Sequence, residues 1–124
     1  MRGRAGAALL IVALVGGPAC GGGDDEGLAS EPVPDDPDVV IVAEAMAFDP
    51  DEVQVAAGEP VSIVLDNRDE GVNHNIHVKD APSPNKTSLE QGVSRQALTV
   101  TLTAGEYEFV CDIHPIMDGT MVAG

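Results

Sequence analysis

The chain has no tryptophan, one tyrosine and two phenylalanines among its 124 residues. Aromatic packing therefore cannot dominate its interior, and a core must come from Val, Ile and Leu, with Phe48, Tyr107 and Phe109 added. Basic residues are scarce too: six Lys and Arg stand against 21 Asp and Glu, a formal net charge of −15. That balance excludes nucleic acid or anionic lipid as a binding surface and leaves a cationic partner, or plain solubility, as the use of the charge. Two cysteines, Cys20 and Cys111, are too few for a disulfide-stapled scaffold. The apolar run 7–15 is too short to cross a bilayer. Beyond it no segment sustains a 3.6-residue period, so a helical bundle is excluded.

What is present begins with that run. Arg2 and Arg4 precede it, and Gly16, Gly17, Pro18 and Ala19 lead into Cys20. A charged start, a short apolar stretch and small residues before a cleavage point read as an export signal over residues 1–19. The small residue before Cys20 resembles a bacterial lipoprotein signal, although Gly17 stands where that pattern prefers Leu. The resemblance implies a lipid on Cys20 and attachment to the bacterial cell membrane; without lipid, the protein is secreted or periplasmic. Residues 20–38 are rich in Gly, Pro, Asp and Glu and read as a disordered tether, extended by its own charge.

Composition changes at Val39. The apolar run 39–43 reads as a buried strand, and 53–55, 61–66 and 98–103 alternate with period two. Turn residues separate them: Asp49 and Pro50, Gly58, residues 67–71, and Gly105. Residues 80–96 read as a long loop with a short helical turn. The expected fold of 39–124 is all-β, a sandwich or barrel of short strands.

The chemistry gathers near the C-terminus. Cys111, His114 and Met117 follow one another at three-residue intervals. Thiolate and thioether favour Cu(I), imidazole suits either copper state, and a blue-copper centre takes two His, one Cys and a weak axial ligand. Tyr107, Phe109 and Cys111 share one strand face, so the thiol lies on the core side. Pro115 ends regular pairing, a tight loop turns His114 and Met117 back, and 120–123 forms a last short strand. For a second histidine there are two candidates. His74 shares its face with Ile76 and Val78, so it points inward; His77 shares the other with Asn75 and Lys79, so it points outward. A Cys20–Cys111 disulfide would destroy this donor set and is rejected. Met46 and Met121 read as core packing.

With these residues placed, the stretch 39–124 resembles the cupredoxins, and within them the amicyanin and plastocyanin branch. Phe48, Asp49, Pro50, Val53, Val55, Gly58, Val61 and Asn67 match the first half of the family pattern. His74 and Asn75 match its upstream ligand motif. Cys111, His114, Pro115, Met117 and Gly119 match the short ligand loop. The resemblance implies a Greek-key β-sandwich of about seven to eight strands, holding one type 1 copper. It implies His74, Cys111 and His114 as equatorial ligands, Met117 as the axial one, and Asn75 as a hydrogen-bonding tie between the two ligand loops. Asp112 departs from the family's usual Ser or Thr; a carboxylate beside the cysteine ligand favours Cu(II) and lowers the potential.

The function so implied is single-electron transfer between redox partners, not enzymatic turnover. Pro115 and Ile116 form an apolar docking surface around His114 for a redox protein of cationic surface, a cytochrome or an oxidase, with the chain itself monomeric. The alternative is a copper carrier or store. A multicopper enzyme needs more histidines than the one left over. A cysteine hydrolase lacks a third orienting residue, and zinc does not prefer thioether.

Overall fold

The computed structural model describes residues 28–29 and 31–124. The expected export signal, the Cys20 lipid site and the first part of the tether lie outside the described residues. Among the described residues ten strands follow in order: β1 (Val39–Glu44), β2 (Ala47–Asp49), β3 (Glu52–Val55), β4 (Pro60–Asn67), β5 (Asn73–His74), β6 (His77–Val78), β7 (Glu90–Gln91), β8 (Ser94–Thr101), β9 (Gly105–Cys111) and β10 (His114–Ala123). They build two four-stranded sheets, β2-β1-β4-β8 and β3-β10-β9-β6, with β5 and β7 paired separately. β1 runs parallel to β4 and β10 parallel to β3, so strands far apart in sequence lie side by side. This is the all-β sandwich that the alternating pattern predicts.

Between the sheets, Ile41, Ile63, Leu65, Leu98 and Val100 from one face meet Val53, Phe109 and Met121 from the other. Aliphatic residues do most of the filling, as the shortage of aromatics requires. The two phenylalanines pack on each other, Phe48 against Phe109, with ring centroids 5.3 Å apart. Met121 is fully buried and Met46 packs at the margin of this core.

Among the strands and the N-terminal stretch the structure departs from the sequence reading in four places. The run 39–43 is not buried throughout: Ile41 and Ala43 are fully buried, but Val40 is 37% exposed. Only one face of β1 meets the other sheet, and valine suits the outer face of a strand for its backbone preference alone. Residues 80–96 hold no helical turn; they hold β7 and the start of β8. The last strand is not 120–123 but His114–Ala123, with a register shift between His114 and Asp118. Finally, within the stretch 20–38 that reads as a free tether, Ala29 and Glu31 are held against the sandwich. Ala29 N–H donates to Lys86 O at 2.8 Å and Glu31 bridges to Ala97 on β8, an edge strand. The Glu31 carboxylate accepts from Thr99 N–H at 2.8 Å and from Thr99 Oγ1 at 2.6 Å. An edge strand offers unpaired backbone groups, and here an acidic segment from outside the sandwich covers part of it.

Gly119 shows why the ligand-loop pattern ends in glycine. A Cβ there would lie 2.2 Å from Phe109 Cζ and 2.7 Å from Asp51 O, while Thr120 N–H donates to Asp51 O at 2.8 Å. Neither the core ring nor the backbone can retreat cheaply. Gly119→Ala should therefore destabilise the domain by about 1–3 kcal/mol, read as a lower urea midpoint; an unchanged midpoint would show that the ring has room to move.

Candidate metal centre

β9 ends at Cys111 and β10 begins at His114, and these two residues pair with only Asp112 and Ile113 between them. The thiol sits on the core face and is 2% exposed. Pairing then resumes at Asp118 with Val110, leaving Pro115, Ile116 and Met117 outside the ladder. A proline has no N–H to contribute to a ladder, so little is lost by unpairing it. The bulged stretch turns Met117 fully inward and leaves Ile116 74% exposed.

His74 enters from the other side, at the end of β5, and is fully buried. His74, Cys111 and His114 each offer a donor atom, and all of these lie within 4.8 Å of one another. Cys111 Sγ is 3.4 Å from His114 Nδ1 and 3.9 Å from His74 Nδ1. The two rings meet edge to face, centroids 4.9 Å apart. A metal bonded to nitrogen at about 2.1 Å and to sulfur at about 2.3 Å, at angles between tetrahedral and trigonal, separates those atoms by about 3.6–3.8 Å. The donor spacing therefore fits one metal ion, and one thiolate, two imidazoles and a buried thioether suit copper. His74, Cys111, His114 and Met117 are thus positioned as a possible copper site.

Hydrogen bonds orient the rings. His74 Nε2 lies 2.7 Å from Asp69 Oδ2. With the Nε2 proton directed at the carboxylate, Nδ1 keeps its lone pair for a metal on the side facing Cys111. Asp69 also accepts from Ala45 N–H at 2.8 Å and Met46 N–H at 3.4 Å, in a β1–β2 turn where both residues have positive φ, 54° and 61°. Asn67 Oδ1 accepts from Asp69 N–H at 3.0 Å, and Asn67 Nδ2 donates to Val72 O and Glu90 O. Gly92 lets this turn pass close by, since a Cβ there would be 2.3 Å from Asp69 O. The His74 hydrogen bond lowers the Asp69 pKa below 3.8; burial works against this, and the Ala45 and Met46 N–H groups reinforce it.

Parity places His74, Ile76 and Val78 inward, and all three are fully buried. It fails for Asn75, which belongs to the opposite parity but is 2% exposed. β5 and β6 lie in different sheets, and the chain crosses between them at Asn75 and Ile76. There Asn75 Nδ2 donates to Asp112 Oδ2 at 2.8 Å and Asp112 N–H donates back to Asn75 Oδ1 at 2.8 Å. Buried Thr87 completes the tie: its carbonyl accepts from Asn75 Nδ2 and its hydroxyl from Ile76 N–H. His77 does lie on the outer side, yet it is not simply solvated, because its Nδ1 is 2.8 Å from Asp112 Oδ1. Burial raises the Asp112 pKa, but the His77 and Asn75 hydrogen bonds outweigh it and the group sits below 3.8.

Sequence reasoning missed Asp69 and Thr87. Asp69 stands in a turn where any acidic or small polar residue is expected, and Thr87 lies in what reads as featureless loop. Neither carries a pattern that marks it.

The Asp69 shift sets a pH test. A carboxylate whose folded pKa is depressed contributes stability above the unfolded value and loses it as pH falls through the folded value. The metal-free protein should therefore lose stability below pH 3.8. Its advantage over Asp69→Asn should shrink across that acid range. Urea unfolding at a series of pH values measures this; an advantage constant with pH would remove Asp69 from the account.

A family model described as the cupredoxin-like domain matches residues 9–123. Amicyanin-alpha of Methylorubrum extorquens is 35% identical over 80 residues, which cover 62% of this chain and 64% of that protein, less than two thirds of its length. Reduced auracyanin from Roseiflexus castenholzii superposes with a TM-score of 0.62 at 19% identity, over 69% of this chain and 95% of that one. Auracyanin A from Chloroflexus aurantiacus, described as a "blue" copper protein, gives 0.57 at 24% identity, over 68% and 96%.

Proposed function

We propose that this chain, which belongs to the cupredoxin-like family, is a mononuclear type 1 copper protein carrying single electrons between redox partners outside the cytoplasm. The observation that supports this most is the meeting of His74, Cys111 and His114 donors within 4.8 Å, with the thioether of Met117 fully buried. Bound there, copper would supply a one-electron change between Cu(I) and Cu(II). His74, Cys111 and His114 would hold it as strong ligands and Met117 as a weak one, with no substrate bond made or broken.

The four ligands are not equally accessible. His74, Cys111 and Met117 are buried, while His114 is partly exposed. Beside it Pro115 and Ile116 are exposed, and Ile113 is 47% exposed. This rim is the docking face: apolar contact at the centre lets a partner approach His114, and redox pairs typically meet through small, weak interfaces. The acidic remainder favours a cationic partner, a cytochrome or an oxidase. The chain works as a monomer.

Adding Cu(II) to the purified domain should give one copper per chain and an intense visible thiolate-to-copper band, and Cys111→Ser should abolish it. Reversible reduction and reoxidation without copper loss separates an electron carrier from a copper carrier or store. Ile116→Lys should keep the colour but slow exchange with a redox partner. A colourless protein that releases copper on reduction would refute the electron-transfer reading.

The domain 39–124 is joined through residues 20–38 to a lipid on Cys20 that anchors it to the bacterial cell membrane, after removal of the signal 1–19. The pattern from Arg2 to Cys20 supports this. Wild-type protein should sediment with membranes and Cys20→Ala should not; soluble wild-type protein would mean simple secretion or a periplasmic location.

A further inference from the structure

The contact between His77 and Asp112 lies outside the donor set, and nothing in the ligand pattern calls for it. Asp112 directly follows Cys111, and both of its carboxylate oxygens are engaged. Oδ2 accepts from Asn75 at 2.8 Å and Oδ1 lies 2.8 Å from His77 Nδ1. On the other side of the ring, Asn85 Nδ2 is 3.4 Å from His77 Nε2, so an amide N–H faces that nitrogen and the ring proton falls on Nδ1, directed at Asp112. Asn85 is itself held, its Nδ2 donating to Ala81 O at 3.3 Å, and its carbonyl accepts from Val78 N–H at 2.8 Å. β6 pairs with β9 through His77 and Val110, so His77 lies beside the strand that ends in Cys111. The His77 side chain is 25% exposed and that of Asp112 34%, which places the pair where solvent only partly screens it.

We infer that His77 is a positioning residue for the copper centre: it donates to Asp112, holds the carboxylate plane against Asn75, and offsets part of the negative charge beside the Cys111 sulfur. This rests on the copper reading above. Two physical consequences separate it from a merely structural contact. The first is a sign. Removing the donor leaves more uncompensated negative charge near the thiolate, which favours Cu(II), so the reduction potential falls. Removing the carboxylate does the opposite. The second is dependence: once Asp112 is gone, His77 has nothing to act on.

The test is a double-mutant cycle with His77→Leu and Asp112→Ser, and His77→Asn as the conservative variant, whose amide N–H can take the place of the Nδ1 donor. In copper-loaded protein, His77→Leu should keep the blue band and shift the Cu(I) to Cu(II) ratio, at a fixed applied potential, severalfold towards Cu(II). His77→Asn should stay near wild type, and Asp112→Ser should shift the ratio towards Cu(I). In the Asp112→Ser background, His77→Leu should change nothing. In metal-free protein, His77→Leu should reduce the exchange protection of the Asp112 amide that bonds to Asn75, and His77→Asn should retain it. An unchanged or raised potential in His77→Leu, or an equal shift in both backgrounds, overturns the charge-offsetting role. Unchanged amide protection overturns the positioning role. Failure of the wild type to bind copper reversibly would sink the electron-transfer reading and leave the metal-free arm to decide the positioning.

Discussion

The reciprocal hydrogen bonds between Asn75 and Asp112 are the constraint on which the centre depends. His74 and Cys111 lie on elements that share no ladder: β5 pairs with β7, whereas β9 pairs with β6 and β10. Strand pairing alone therefore does not hold the imidazole opposite the thiol. The two bonds, each 2.8 Å, join the residue after His74 to the residue after Cys111. Both are shielded on one side by the Thr87 loop, and an amide that donates and accepts across the same gap defines orientation as well as distance. Removing the Asp112 carboxylate leaves one N–H of the buried Asn75 amide unpaired, which costs about 1–3 kcal/mol, and cutting either partner frees the two loops to drift apart.

A second layer of the same kind stands behind His74. Asn67, Asp69 and Gly92 form a packed turn in which the Asp69 carboxylate meets an imidazole and two backbone N–H groups. The β1–β2 turn, the β4–β5 turn and β7 are thereby tied to one ring nitrogen. This gives the proposed ligands unequal freedom. His74 is buried and locked by a charged acceptor that is itself only partly exposed, whereas His114 sits on a bulged strand whose next residues make no ladder bonds.

Much of this was legible in the sequence where a local rule carried it. Period two placed Cys111, His74, Ile76 and Val78 on the core side, and the donor types at three-residue spacing pointed to copper before any geometry was known. Asn75 was legible only through resemblance, because its own parity points outward; its burial comes from a crossing between sheets that no local pattern encodes. Asp69 and Thr87 were invisible, since their roles depend on which residues the fold brings alongside them, and His77 was read as solvated because the carboxylate it meets is 35 positions away. Ala29 and Glu31 read as tether from composition, but specific hydrogen bonds, of Ala29 with the Lys86 carbonyl and of Glu31 with Thr99 on the edge strand β8, outweigh that tendency.

The proposed ligands are unequally exposed, and for the proposed electron carrier this would decide where electrons enter and leave. A partner approaching from the β5 side would meet the Asp69 turn, acidic and packed, with the His74 ring fully buried behind it. A partner approaching the β9–β10 loop meets apolar side chains, Ile113 and Ile116, around a partly exposed imidazole. Desolvating apolar side chains favours contact, while desolvating carboxylates opposes it. The same acidic groups that guard the first route would still act at long range on the proposed cationic partner, drawing it in before contact. In the proposed electron carrier, attraction and docking would thus fall to different parts of the surface: the charge would govern how often a partner arrives, and the apolar rim whether it seats at His114.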